Sequence, residues 1–371
     1  MNSRPEILDR RLASIDALRG FDMFMIAGGG TFILLLKGKT GIRFIDSIAD
    51  QFIHPEWHGF TFYDFIFPLF LFLAGTSLPF SLTSGLSKGI SKQQVLRKVF
   101  NRMLILILWG ILDKNAPIDL FDPSSIRYGS VLGRIGIASF VSAAIYLSYS
   151  WTKRLYLSLS ILVIYYLVLL LVPVPGFGSS DFSFEGNLVG WFDRNFMPGK
   201  LKQKSYDELA LLTTFPAICL TIFGTLAGDI LLQTSSAFAK LRSLLIAGFI
   251  GIVAGILWNF VFPVNKHLWS SSFIMLTSGL AFCSLAIFYW IIDIKGYQKW
   301  AFFFRVIGMN SLVIYLLVRF VDFNSSSRLF YEGLYKHTED KWHEVFNALG
   351  GLLLVWLVLY FLYKNKIFVK V

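Results

Sequence analysis

Long apolar runs follow one another along almost the whole chain, and short polar breaks separate them. About 20 consecutive apolar residues are enough to span a bilayer as a helix. Runs such as 155–172 are apolar at every period, whereas the strands of a membrane β-barrel alternate apolar and polar residues. Charged residues make up only 15% of the chain, which is less than a soluble domain of this size needs. The sequence therefore predicts an all-α polytopic membrane protein.

The positions of the polar breaks predict about ten transmembrane helices. They cover residues 16–37, 61–84, 95–112, 130–150, 155–173, 209–231, 244–262, 270–292, 303–321 and 344–363. An even number of spans puts both termini on the same side of the membrane. Because no linker and no soluble segment interrupts this pattern, residues 1–371 are predicted to form a single transmembrane domain.

Lys and Arg are concentrated in the alternate short loops on the side of the termini, for example in 88–102 and 240–242. Basic loops remain in the cytoplasm, so both termini are predicted to be cytoplasmic. The formal net charge of +11 then reflects topology, and we expect no nucleic-acid partner. The long loops and all 5 histidines are predicted to lie at the outer face.

The most polar segment beside a predicted span runs from His54 to Asp64. Asp64 lies about one turn inside the second helix, and an ionised group at the membrane centre costs about 2.5 to 3.5 kcal/mol. One interpretation makes His54 a general base that the Asp64 carboxylate orients. The alternatives are a capping box, in which Thr61 is the N-cap and Asp64 accepts from its backbone, and a His54 that is merely solvated.

The spacing of His54 and His58 is also that of a zinc-binding pair on a helix. However, Pro55 and Gly59 interrupt any helix through both histidines, and no Glu follows His54. We therefore expect no metal site.

Five ordered blocks of the sequence resemble one family, the transmembrane acyltransferases that include the lysosomal heparan-α-glucosaminide N-acetyltransferase and shorter bacterial relatives. The resemblance covers nearly the whole chain. The blocks are 11–23, 54–77, 185–188, 263–272 and 307–311.

The resemblance implies that an acetyl group passes from cytosolic acetyl-CoA to an amino sugar on the far side of the membrane. It makes His54 the catalytic residue and Asp64 the accompanying carboxylate. Arg43 matches the basic residue that precedes the histidine in the wider superfamily, which implies a hydrogen-bond donor to the acyl carbonyl. The resemblance also implies a homodimer.

Three polar residues within predicted spans are expected to line the path of acetyl-CoA: Arg19, Arg134 and Asn310. Arg19 has an alternative role, because Asp16 and Asp22 lie at helical spacing for an ion pair. For the other two, hydrogen bonds between helices are an equally good explanation.

Four residues at the outer face are expected to bind the acceptor sugar: Trp57, His58, Asn187 and Lys266. A tryptophan at this position can instead belong to the interfacial aromatic belt. The lysine can instead extend its ammonium group towards water.

Together these features predict an acetyl-CoA-dependent N-acetyltransferase in the inner (cytoplasmic) membrane of a bacterium. Its acceptor is expected to be the amine of glucosamine or a glucosaminide on the outer, periplasmic side. The alternative is an amino-sugar transporter or uptake partner without acyl transfer, because carriers also have many spans with polar residues inside the membrane.

Overall fold

The computed structural model describes residues 12–119, 121–209 and 211–369, and in these ranges the regular secondary structure is helical apart from two isolated β-bridges. Arg11, the first residue of the first family block, lies outside the described residues. The α-helices of the described ranges are α1 (Ala13–Phe24), α2 (Gly30–Leu34), α3 (Arg43–Asp50), α4 (Phe62–Ser87), α5 (Lys92–Asn115), α6 (Val131–Ser148), α7 (Trp151–Leu171), α8 (Leu188–Phe196), α9 (Thr214–Leu232), α10 (Ala237–Trp258), α11 (Ser271–Phe288), α12 (Phe302–Met309), α13 (Ser311–Phe320), α14 (Phe323–Tyr335) and α15 (His343–Lys364).

Within the described ranges, 8 helical segments are long and apolar enough to cross a membrane, or 9 when the bent pair α12 and α13 counts as one span. This confirms an all-α polytopic membrane protein. Every predicted segment overlaps a helix, but the predicted number of ten spans exceeds this result by at least one. The difference is α5, which is 24 residues long and carries charges near both of its ends. The side on which the termini lie stays a prediction.

Two predicted spans are interrupted where the sequence indicated continuous helices. The first passes from α1 to α2 through a π-helical turn, Met25–Gly29, in which Gly28 has a φ of 134°. The other interruption is at Asn310, whose φ of −125° and ψ of 41° are not helical, and α13 there turns by 78° from α12. The predicted outer loops also contain helices, namely α3, α8 and α14.

Small residues let the central helices approach closely. Gly75 of α4 faces Gly224 of α9, and a Cβ atom on either would overlap a backbone carbonyl oxygen of the opposite helix. Gly20 of α1 and Gly308 of α12 form a similar contact. Such backbone contacts are the usual means of helix association in membranes. They fix α4, whose first turn contains Asp64, against α9.

We expect Gly224→Ala to destabilise the protein, because the new methyl group would overlap the carbonyl oxygen of Phe72. Overpacking of this kind costs about 1 to 3 kcal/mol. The matched control is Gly333→Ala in α14, where a Cβ atom meets nothing within 4 Å and alanine favours the helix. Thermal unfolding in detergent should therefore occur at a lower temperature for Gly224→Ala only. Equal unfolding temperatures for the two variants would contradict the close contact of α4 and α9.

Candidate active site

A histidine and an aspartate make a short hydrogen bond where α4 begins. The Nδ1–H of His54 donates to Oδ1 of Asp64 over 2.6 Å. The Asp64 side chain is 1% exposed, whereas that of His54 is 42% exposed. Since the bond to Asp64 places the proton on Nδ1, Nε2 of the accessible ring retains its lone pair. This is the arrangement of a general base oriented by a buried carboxylate.

The second oxygen of Asp64 holds the start of the helix. The backbone N–H and the hydroxyl of Thr61 both donate to Oδ2 of Asp64, at 2.9 and 3.1 Å. Thr61 is the N-cap of α4 and has an extended backbone. The capping box and the histidine pairing, which the sequence presented as alternatives, therefore occur together on one carboxylate.

A stacked aromatic ring also contacts the imidazole of His54. Tyr63 stacks on it, with 5.1 Å between the ring centroids and 17° between the planes. The end of α3 is joined to the start of α4, because the backbone N–H of Tyr63 donates to the carbonyl oxygen of Gln51 over 3.0 Å. These contacts restrict the orientation of the imidazole.

A second loop, between α10 and α11, lies against the loop that carries His54. The N–H of Gly59 donates to the carbonyl oxygen of Val264 over 3.0 Å, and the amide of Asn265 donates to Nδ1 of His58 over 3.1 Å. These bonds bring Lys266 to the pair. Its Nζ lies 3.4 Å from Oδ1 of Asp64 and 3.2 Å from Nε2 of His54.

An aromatic cluster borders the pair on the side of His267. Trp57 lies parallel to the His267 ring at 5.3 Å, and its indole N–H donates to the carbonyl oxygen of Phe182 over 2.7 Å. The hydroxyl of Tyr206 lies 2.8 Å from Nδ1 of His267. Of the residues predicted to bind the acceptor, Trp57, His58 and Lys266 thus lie on the two joined loops.

Two carboxylates and a second lysine lie near Lys266. Burial alone would raise the pKa of Glu208, but the charges of Lys202 and Lys266 lower it to about 2. Burial lowers the pKa of Lys266 from its usual value, and the carboxylates of Glu208 and Asp64 oppose this change. Glu208 therefore stays ionised and compensates the positive charge beside the histidine.

Two predicted site residues do not contact the pair. Arg43 is the first residue of α3 and is exposed, and no hydrogen bond or ion pair joins its side chain to another described residue. The Asn187 side chain caps α8 by accepting from the N–H of Gly190 over 2.7 Å, and its amide donates to the carbonyl oxygens of Ser183 and Phe184. Asn187 is 1% exposed, so the structure gives it a capping role.

A cavity of about 450 Å³ lies along one face of α4. Phe67, Phe70, Ala74, Ser77 and Ser81 of this face line it. Tyr63, which stacks on His54, is one turn before Phe67 on the same face. With a rise of 1.5 Å per residue, the lining from Phe67 to Ser81 extends about 21 Å along the helix. This is about two thirds of the thickness of a hydrocarbon core.

Two arginines line the cavity, Arg19 of α1 and Arg102 of α5. Arg19 donates to the hydroxyl of Ser77 over 2.5 Å and lies 3.7 Å from a carboxylate oxygen of Asp16. Ser77 is 13 residues further along α4 than Asp64, so Arg19 contacts α4 about 20 Å from the histidine pair. Arg19 thus pairs with Asp16 and also lines the cavity, and its role on the path of acetyl-CoA stays a prediction.

The other two residues predicted to line the donor path lie outside the cavity lining. Arg134 is 2% exposed and lies over the ring of Trp269, 4.7 Å from its centroid. Asn310, at the break between α12 and α13, donates to the carbonyl oxygen of Ile367 and accepts from the N–H of Val369, both over 3.1 Å. It thus holds the segment after α15, and Val369 itself lines the cavity.

The sequence led to no prediction for Tyr63 or Glu208, and it offered Arg102 for phosphate binding only as part of the basic stretch 88–102, which membrane topology also explains. Tyr63 is directly next to Asp64, and that adjacency was the available signal. Glu208 is one acid among several in a long loop, and Arg102 is one basic residue among several at the start of α5. Nothing in their spacing distinguishes these two residues.

The fold and the His54–Asp64 pair define a class, a polytopic helical membrane protein with a histidine that a buried carboxylate orients where α4 begins. Residues 11–257 match the family described as heparan-alpha-glucosaminide N-acetyltransferase, catalytic. The chain belongs to this family, as its sequence blocks predicted.

Two related proteins carry the name heparan-alpha-glucosaminide N-acetyltransferase. The chain is 30% identical to the human heparan-alpha-glucosaminide N-acetyltransferase, in an alignment that covers 99% of this chain and 61% of the human protein. It is 28% identical to the mouse protein, covering 97% of this chain and 60% of that protein. The chain thus spans about three fifths of the length of these relatives.

Proposed function

We propose that this protein is a membrane N-acetyltransferase that moves the acetyl group of acetyl-CoA to the amine of glucosamine or a glucosaminide. The observation that carries the proposal is the hydrogen bond of 2.6 Å between His54 and the buried Asp64, which leaves Nε2 of an accessible imidazole as a base. The family relationship indicates the type of reaction and of acceptor. The donor is used on the cytoplasmic side and the acceptor on the outer side of a bacterial inner membrane.

In this reaction His54 moves one proton. Its Nε2 accepts a proton from the acceptor amine as the nitrogen forms its bond to the acetyl carbon. It then gives that proton to the sulfur as the carbon–sulfur bond breaks, so the products are an amide and a free thiol. Asp64 holds the ring in the required tautomer and stabilises the imidazolium that forms in between.

The cavity along α4 fits a donor with a narrow chain and an anionic end. Acetyl-CoA supplies an activated thioester, and its phosphates need cationic partners. Arg19 and Arg102 provide two guanidinium groups on the cavity wall, and guanidinium groups are well suited to bind phosphate. The apolar side chains of Phe67 and Phe70 line the part nearest to Tyr63 and His54. Arg19 and Arg102 are therefore the residues that would hold the phosphates.

The acceptor would bind at the outer loops. Trp57 presents an aromatic surface next to His267, and aromatic rings pack against the apolar faces of sugars. His58 and Lys266 are on the same two loops and lie next to the base or its neighbours. Asn187 contributes indirectly, by capping α8.

The test is release of coenzyme A by the purified protein in liposomes that contain acetyl-CoA, with and without glucosamine. We expect thiol release and N-acetylglucosamine formation only when both substrates are present. A protein that binds acetyl-CoA and releases no thiol with any amino sugar would contradict the proposal.

Filling the cavity should block the donor. Ala74 lies midway along the lined face of α4, so Ala74→Phe would place a ring in the cavity. We expect the KM for acetyl-CoA to rise at least about tenfold, which corresponds to about 1.4 kcal/mol of lost binding. The matched control is Ala144→Phe in α6, a half-buried position outside the cavity lining. Equal KM values for the two variants would show that the donor does not use this cavity.

One observation favours the transport alternative. The pair α12 and α13 is a broken span with a 78° bend at Asn310, and broken helices form substrate sites in many carriers. However, the Asn310 side chain is already bound to the backbone of residues 367 and 369. Saturable accumulation of labelled glucosamine in proteoliposomes without acetyl-CoA would support transport.

A further inference from the structure

The cationic side chain that contacts the His54–Asp64 pair is not the one that the sequence predicted. The sequence signature indicated that Arg43 would face the acyl carbonyl, but the Arg43 side chain is exposed and contacts neither His54 nor Asp64. The cation that does contact both residues is Lys266, which is 212 positions away from His54 in the sequence.

The position of Lys266 is closely defined. Its Nζ lies 3.2 Å from Nε2 and 3.4 Å from Nδ1 of His54, and 3.4 Å from Oδ1 of Asp64. The side chain is 17% exposed, although lysine is normally a surface residue. Its loop is fixed because Oδ1 of Asn265 accepts from the N–H of Leu268 over 2.9 Å.

Acyl transfer needs two groups close together. One takes the proton of the attacking amine, and the other faces the carbonyl oxygen, which gains negative charge as the carbon–nitrogen bond forms. Because the amine nitrogen and the carbonyl oxygen are then bound to the same carbon, these two protein groups must lie within a few ångströms of each other. Nε2 of His54 and Nζ of Lys266 meet this requirement.

We propose that Lys266 is the cationic donor that stabilises the developing oxyanion, the role that Arg43 was predicted to have. The ammonium group donates to the carbonyl oxygen while Nε2 of His54 takes the amine proton. When the carbon–sulfur bond breaks, the oxygen becomes the amide carbonyl and the ammonium group keeps its protons. This inference rests on the proposed acetyl transfer.

Burial and the surrounding charges together set the pKa of Lys266. Asp64 and His54 face it from the start of α4, Glu208 and Lys202 face it from the segment before α9, and His267 follows it in its own loop. Burial lowers the pKa of Lys266 and the carboxylates of Glu208 and Asp64 oppose this change, so its ammonium is lost at a pH below the usual value of 10.5. Activity that needs this charge therefore declines on the alkaline side.

The experiment compares Lys266→Met and Lys266→Arg with wild type in the coenzyme A release assay, from neutral to alkaline pH. We expect Lys266→Met to lose about 100- to 1,000-fold in kcat, as for removal of an oxyanion donor, with acetyl-CoA binding unchanged. Lys266→Arg should recover part of the activity. Its alkaline decline should move to higher pH, because arginine stays charged. Lys200→Met, at an exposed position of the outer face, is the matched control and should behave as wild type.

Two other results would overturn the inference about Lys266, and a third would overturn the proposed function. A Lys266→Met variant with normal kcat and only a raised KM for glucosamine would make Lys266 a binding residue and overturn the inference. The inference is also overturned if Lys266→Met unfolds and Lys266→Arg keeps the alkaline decline of wild type, since the charge would then be purely structural. If wild type itself releases no coenzyme A with glucosamine, the proposed function fails, which is distinguishable from failure at Lys266 alone.

Discussion

His54→Ala should reduce the turnover of the proposed acetyl transfer by about 1,000-fold or more, because it removes the only group that the structure presents as a base among the described residues at the start of α4. The ring is 42% exposed and its loss leaves no buried cavity of comparable size, so folding should not change. The measurement is kcat for coenzyme A release at saturating acetyl-CoA and glucosamine. Binding of acetyl-CoA should persist, since Arg19 and Arg102 are untouched.

The control for this variant is His337→Ala, which removes an exposed histidine of the same predicted face. It should leave kcat as in wild type. If His54→Ala retains more than a tenth of wild-type turnover while its thermal unfolding is normal, His54 is not the base. The mechanism would then need another group, and Lys266 in its neutral form would be the nearest amine.

Asp64→Asn should lower kcat by about 100- to 10,000-fold through the tautomer of the histidine. The cap determines how the new amide is oriented, because its oxygen must accept from the N–H of Thr61, as Oδ2 of Asp64 does. The amide NH₂ then faces His54 and donates to Nδ1. The ring proton moves to Nε2, and the lone pair that should take the substrate proton is gone.

The helix cap should survive in Asp64→Asn, so we expect the unfolding temperature to change little while kcat falls. Asp340→Asn is the matched control, since the Asp340 side chain is fully exposed. A variant that unfolds early and keeps its specific activity would indicate that Asp64 serves only the capping box. Normal kcat in a stable variant would exclude the tautomer argument.

The helices could be predicted from the sequence because hydropathy is a local property. Each of the ten predicted segments overlaps a helix, and the class of fold is confirmed. The breaks could not be predicted in this way, because an average over a window carries no information on backbone direction at Gly28 or Asn310. The charges near both ends of α5 keep it out of the 8 or 9 segments that length and hydropathy identify, although the sequence predicts a span at 95–112.

The site was predictable only in its local part. His54 and Asp64 are ten positions apart on either side of a helix start, and their pairing follows from that geometry. Lys266 reaches them from a loop 212 positions away from His54, and the sequence shows no distance across the fold. The prediction for Arg43 came from a resemblance to a superfamily signature, and such a signature does not determine whether a side chain on α3 faces the site or the solvent.

The bond between Asn310 and the segment after α15 has a consequence for biosynthesis. The cavity wall includes Met309 and Ser311 on either side of the broken span, and Val369, which Asn310 holds by its N–H. A membrane protein is synthesised from its N-terminus, so α4, α1 and α5 are in place long before Val369 leaves the ribosome. The cavity therefore lacks the part of its wall that Val369 forms until that residue is in place. The wall is complete only when residues 367–369 dock against Asn310, after the helices that form the rest of the cavity.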